Sequence, residues 1–141
     1  MRRHPVRSRG AAIIEFALVL PILLILFFGI VEFATALYNK AVITNASREA
    51  ARAGIVYVGP STHVSEATIK AVAAANYANL ITYNKDAAPT VTVTVTDSPD
   101  FEQDLLTVTI DYSYSGLGLG AMLSSITGPL VLSGSTTMKY E

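Results

Sequence analysis

Sixteen consecutive residues, Phe16 to Val31 (FALVLPILLILFFGIV), carry no charge. A bilayer-spanning helix needs about 20 apolar residues, and counting back to Ala11 reaches that length with one charged side chain, Glu15. This segment belongs in hydrocarbon, so the rest of the chain must fold as something tethered to it. A carboxylate at the bilayer centre costs about 2.5–3.5 kcal/mol, which makes Glu15 a functional candidate by default. Arg2, Arg3, Arg7 and Arg9 precede the segment, and the flank beyond it carries only Lys40 nearby. The positive-inside rule then predicts a cytoplasmic N-terminus and an external C-terminal part. Pro21 removes a helix hydrogen bond and predicts a kink, and Gly29 adds a second soft point.

Charge separates along the chain. Beyond the basic stretch at residues 1–10, which Pro5 and Gly10 interrupt, six basic residues stand against eleven acidic ones, net −5. An acidic body argues against a nucleic-acid partner. The absence of cysteine excludes a disulfide framework, cysteine zinc sites and thiol catalysis. No nucleophile elbow, P-loop or dinucleotide fingerprint is present; GLGLG at 116–120 has neither the spacing nor the strand–helix context. No enzyme, cofactor, metal site or small-molecule substrate is expected.

Nothing stops the helix at Val31. No Pro or Gly occurs between Glu32 and Gly54, and Val42, Ala46, Ala50, Ala53 and Tyr57 repeat at helical spacing. A helix from Ala11 to Ile55 would be about 68 Å long, twice what a bilayer holds, so its upper half must project as a spine. Gly59-Pro60 ends it. Ser61 or Thr62 is the expected cap of a second helix over residues 64–80, with Val64, Ala67, Ala71, Ala74 and Ala78 on its apolar face. Thr90–Thr96 alternates strictly with valine inward. Leu105–Ser115 alternates with Leu106, Val108, Ile110, Tyr112 and Tyr114 on one face. Leu130–Tyr140 is a third strand, weakened at Gly134. The fold class is α+β: a long N-terminal transmembrane and spine helix, a second helix, and a small antiparallel three-stranded sheet packed on the spine. The expected divisions are a leader (1–10), a transmembrane segment (11–36), the projecting spine (37–58) and an extracytoplasmic head (60–141).

Other candidates have bland readings. Glu32 fits an interfacial side chain. Arg48, Glu49 and Arg52 fit a solvated helix face with local ion pairs. Asp97, Asp100, Glu102 and Asp104 lack the spacing and glycine of an EF-hand and are expected in a solvated turn. His63 has no neighbour at metal-ligand spacing, and Asn45-Ala46-Ser47 is a glycosylation triplet in mid-helix.

The stretch RGAAIIEFALVLPILLILFFGIVEF, from Arg9 to Phe33, resembles the N-terminus of TadE-like pseudopilins of tight-adherence (type IVc) pilus systems: a basic leader, a glycine, A-A-x-x-E-F, then an apolar helix broken by proline. The stretch Thr44-Asn45-Ala46-Ser47-Arg48-Glu49-Ala50-Ala51-Arg52-Ala53-Gly54 is similar to a second family motif around Asn45, Arg48, Glu49 and Arg52, with Ala50 where glycine is common. The resemblance implies cleavage between Gly10 and Ala11 by a prepilin peptidase at the cytoplasmic face. It implies a non-enzymatic subunit that takes part in assembling an adhesive pilus. Its expected partners are the membrane, that peptidase, other pilin or pseudopilin subunits and the Tad assembly machinery. Phe16 stands where many Tad prepilins carry tyrosine, and the chain's size favours a minor subunit.

Physical chemistry supplies reasons for these residue types. Glycine lets a peptidase approach the backbone closely. Cleavage would expose an α-amine on Ala11, and an ammonium paired with the Glu15 carboxylate of a neighbour would offset two charges that are each costly alone in low dielectric. The intrachain alternative places Glu15 against its own helix N-terminus, where the dipole favours an anion. A different organisation is a secreted or anchored binding domain with a signal peptide cut after Ala36, at Ala34-Thr35-Ala36.

Overall fold

A computed structural model describes residues 8–56, 58–59, 62–82, 88–99, 104–116, 121, 126 and 128–140. Residues 1–7, Tyr57, Pro60, Ser61, Asp100, Glu102, most of the 84–89 turn, residues 117–120 of GLGLG and 122–125 lie outside them. The elements are α1 (Ser8–Gly54), α2 (Glu66–Asn76), β1 (Thr90–Thr96), β2 (Leu105–Tyr114) and β3 (Leu130–Lys139). This is the α+β arrangement expected, with the strands in an antiparallel β1-β2-β3 meander.

The 47 residues of α1 form one uninterrupted helix, about 70 Å long. Its lower half is bare: large side chains from Ile13 to Phe33 are exposed. Its upper half is the back wall of the head. Ala36, Asn39, Ile43, Ala46, Ala50 and Gly54 turn inward at intervals of three and four, with Ser47 beside Ala46. This face is rotated from the expected one. Ala46 and Ala50 belong to both, but Val42 and Ala53 lie at its edge, and the polar Asn39 and Ser47 replace them at the centre. Hydrophobicity alone would not select two polar residues; each is buried because the head supplies it with partners.

The sheet lies on this face through β2 and β3. Leu106, Val108, Ile110, Tyr112 and Tyr114 of β2 all point inward, as the alternation required. Burial raises the Tyr112 hydroxyl above its ordinary pKa of 10.0. The outward face is hydroxylic. In register, Thr94–Thr107–Thr137 and Thr92–Thr109–Ser135 form rows across the three strands, with side-chain hydrogen bonds of 2.9 Å for Thr107–Thr137 and Thr109–Ser135.

Gly134 has a packing role that its strand-weakening character obscured. A Cβ built there would lie 3.0 Å from the Ile43 carbonyl carbon and from the Thr44 nitrogen, so β3 passes directly over the α1 backbone. One turn on, the Ser47 hydroxyl lies 2.8 Å from the Thr136 hydroxyl and donates to the Thr44 carbonyl at 2.8 Å. Lys40 donates to the Ser133 carbonyl.

The second helix differs from expectation in extent, cap and face. Ser65 is the N-cap, its hydroxyl accepting from the Thr68 N–H at 3.3 Å, and Glu66 then sits in the first turn where the helix dipole favours an anion. The buried residues are Ile69 and Ala73, whereas Ala67, Ala71, Ala74 and Ala78 face outward. Alanine buries too little area to orient a helix, and the bulkier Ile69 takes the interior position. Glu66 and Lys70 pair at 2.7 Å on the exposed side.

Asn39 fastens the chain that leaves α2 to the spine. Its Nδ2 donates to the Ile81 carbonyl at 2.8 Å, and its Oδ1 accepts from the Ile81 N–H at 2.9 Å; Asn39 is buried and Ile81 is exposed. Asn39→Leu keeps the volume and removes both hydrogen bonds to the exposed Ile81, at about 0.5–1.5 kcal/mol each. Denaturant unfolding of the micelle-bound chain, followed by near-ultraviolet circular dichroism, is expected to show that loss. Gly134→Ala is expected to lower stability by about 1–3 kcal/mol in the same measurement, because helix backbone cannot yield as a side chain can.

Candidate assembly segment

The residues singled out by sequence all lie on α1, on two stretches with different surroundings. At the lower end, Gly10 and Ala11 are helical and exposed, since α1 begins at Ser8 rather than at Ala11. The peptide bond between them falls in the first turn, whose N–H groups have no intrahelical acceptors, so unwinding it toward an extended form loses few bonds. No atom outside the local helix lies within 4 Å of a Cβ built on Gly10. Glu15 and Phe16 follow on the exposed surface, one turn above. Pro21 stands inside the continuous helix and leaves the Ala17 carbonyl without its usual donor.

The apolar surface from Ile13 to Phe33 is far larger than a soluble monomer exposes, and it requires lipid or apolar protein against it. Thr35 donates to the Val31 carbonyl at 2.9 Å, which satisfies its hydroxyl within the helix. Ala36 is the first inward-facing residue of the head, and α1 runs through Ala34-Thr35-Ala36 without a break. Glu32 is half-buried at this junction.

On the upper stretch, Asn45, Arg48, Glu49 and Arg52 are all exposed, on the side of α1 away from the sheet. The local ion pairs expected among Arg48, Glu49 and Arg52 are not formed among the described residues; the pairs present are His63–Asp104 and Glu66–Lys70. Arg48 and Glu49 are adjacent in sequence and diverge around the helix, while Glu49 and Arg52 reach into solvent separately. Asn45 is exposed, but Ser47 of the same triplet is buried and bonded to Thr44 and Thr136, so the glycosylation reading has no accessible hydroxyl.

Sequence reasoning missed three inward groups. Asn39 and Ser47 were legible only as polar interruptions of an apolar stripe. Asp104, expected in a solvated turn, is buried: its Oδ2 lies 3.1 Å from His63 Nε2, and its Oδ1 accepts from the Ser98 N–H at 2.5 Å.

One exposed apolar helix, long and apolar enough to cross a bilayer once, continues into a spine that carries a small sheet, the outline of a membrane-anchored α+β chain. Residues 10–52 match the family model of TadE-like protein. Over that segment, the apolar helix and the lower part of the spine, the chain is similar to TadE-like proteins. The match ends at Arg52, so the head beyond it lies outside the shared pattern. No curated protein and no solved structure matches.

Exposed charges contribute little to folding, so Arg48→Glu and Arg52→Glu are expected to change head stability by no more than about 0.5 kcal/mol. Thermal melts of the two variants in micelles check this, and they make any assembly defect attributable to the surface itself.

Proposed function

We propose that this protein is a minor pilin-like subunit of a tight-adherence pilus, cut between Gly10 and Ala11 by a prepilin peptidase and then packed beside other subunits through α1. The observation that carries this reading is the coincidence of the TadE-like match with one continuous helix whose matched lower half is bare. On this reading the N-terminus faces the cytoplasm, the head lies outside the inner membrane, and the anchor moves from lipid into a fibre. Both settings cover the same apolar surface.

Glu15 supplies register. Four residues separate it from Ala11, about one helical turn, or roughly 6 Å along the axis. After cleavage, the α-amine of one subunit and the Glu15 carboxylate of its neighbour would meet in a medium where neither is stable alone. Phe16 would pack beside that pair. Asn45, Arg48, Glu49 and Arg52 would meet neighbouring subunits or assembly proteins above the membrane, where exposed charges without ion pairs among themselves can take partners without first breaking local bonds. The role is structural, in adhesion rather than catalysis.

N-terminal sequencing of the mature protein tests the processing step. A start at Ala11 supports it. A start at Leu37 supports the signal-peptide alternative, and a start at Met1 an uncleaved anchor. Glu15→Ala is expected to leave cleavage intact and to abolish or strongly reduce assembly, read as mature protein retained in the membrane fraction and loss of surface pili. Normal piliation in that strain would remove Glu15 from the mechanism.

A further inference from the structure

Three segments distant in sequence meet at the end of the head farthest from the apolar helix. The stretch leading to α2 brings His63, the turn after β1 brings Asp97, and the residue before β2 is Asp104. One ligand atom from each lies within 4.8 Å of the other two. The imidazole is held in place by the Tyr140 ring, with centroids 4.6 Å apart, and by the Asp104 carboxylate.

The charge at this position is unbalanced. Asp104 is buried, and Asp97 stands beside it. Neither carboxylate pairs with a lysine or arginine among the described residues. With the imidazole neutral the group carries two negative charges, and a protonated His63 would offset one of them. Among the described residues, the two carboxylates have His63 as their one candidate cationic neighbour.

We propose that His63, Asp97 and Asp104 bind a divalent transition-metal ion, zinc being the best match to the donors. One imidazole nitrogen and two carboxylate oxygens suit zinc, whereas calcium and magnesium prefer oxygen throughout. Ligands of a single zinc ion stand about 3–3.5 Å apart at ordinary bond lengths. His63 Nε2 and Asp104 Oδ2 are 3.1 Å apart, already at that separation. The ion would replace the hydrogen bond between them, draw in the exposed Asp97, and keep water in its remaining positions. His63 must be neutral to ligate, and His63 remains half-exposed, which gives the ion a route of entry. The consequence is structural: the ion would tie the stretch before α2 to the start of β2 at the outer tip. This inference does not depend on the assembly role of α1.

The competing arrangement is a plain His63–Asp104 ion pair in which Asp97 has no part, and the exposed Asp97 separates the two. The full chain, without a histidine tag and with His4→Ala to remove the other imidazole, is purified in detergent micelles. Near neutral pH it is titrated with zinc, calcium and magnesium by calorimetry. The expected result is one zinc per chain, with His63→Gln and Asp97→Asn each weakening binding about tenfold or more. Saturating zinc should also raise the melting temperature of the head by several degrees in the His4→Ala chain but not in Asp97→Asn. Because Asp97 is exposed, its variant keeps the fold even if Asp104→Asn does not. Absence of zinc binding, binding unaltered by Asp97→Asn, or calcium binding as tight as zinc would each overturn the proposal.

Discussion

The head depends on the close contact between a strand and a helix backbone at Gly134. A three-stranded meander with one hydroxylic face cannot bury its other face by itself. The inward row of β2 needs a flat, small-residue wall at short range, and the upper half of α1 supplies it: Ala46, Ala50 and Gly54 hold back no surface, and Gly134 lets β3 approach the helix until backbone meets backbone. A Cβ built on Gly54 would meet the terminal methyls of Leu106 and Ile69, so where sheet, spine and α2 converge the space is also tight, though against side chains rather than backbone. The spine is therefore part of the core, and the head cannot be regarded as a domain attached to the end of an anchor.

That dependence accounts for the polar residues in the interface. At short range between a helix and a sheet edge there is room for few side chains, and backbone groups at the margins need partners. Asn39 takes both backbone groups of Ile81, Ser47 meets Thr136, and Lys40 reaches the Ser133 carbonyl. These bonds are directional, whereas alanine packing is not. They fix the rotation of the head about the spine. A stripe made of alanine alone would tolerate neighbouring rotations, as the mismatch between the expected and observed faces of α2 illustrates.

What could be read from sequence follows from how local each signal is. The strands were legible to within a residue, because alternation over Thr90–Thr96 and Leu105–Tyr114 is a period-two pattern that needs no tertiary knowledge. The anchor was legible from uncharged length. The inward faces of the helices were harder. In α1 the buried polar residues contradict the apolar stripe, and in α2 five alanines and valines drew the expected face away from Ile69. Asp104 was misplaced for a related reason. Four carboxylates in eight residues suggest solvent, and only the fold brings His63, which lies 41 residues earlier, to within hydrogen-bonding distance of one of them.

The two ends of the head are secured by different chemistry, and the difference matters for a rigid spine. Near the apolar segment, the Asn39–Ile81 clamp and the Lys40–Ser133 bond tie the head to α1 within one turn of the point where Ala36 turns inward. At the far end, Ile55 and Val64 pack against the core, His63 meets Asp104, and the Tyr140 N–H donates to the Asp104 carbonyl at 3.0 Å, closing the end of β3 onto the start of β2. Charged and hydrogen-bonded groups add to apolar packing at this outer tip. It is the part of the molecule whose stability solution conditions can alter without disturbing the helix on which assembly would act.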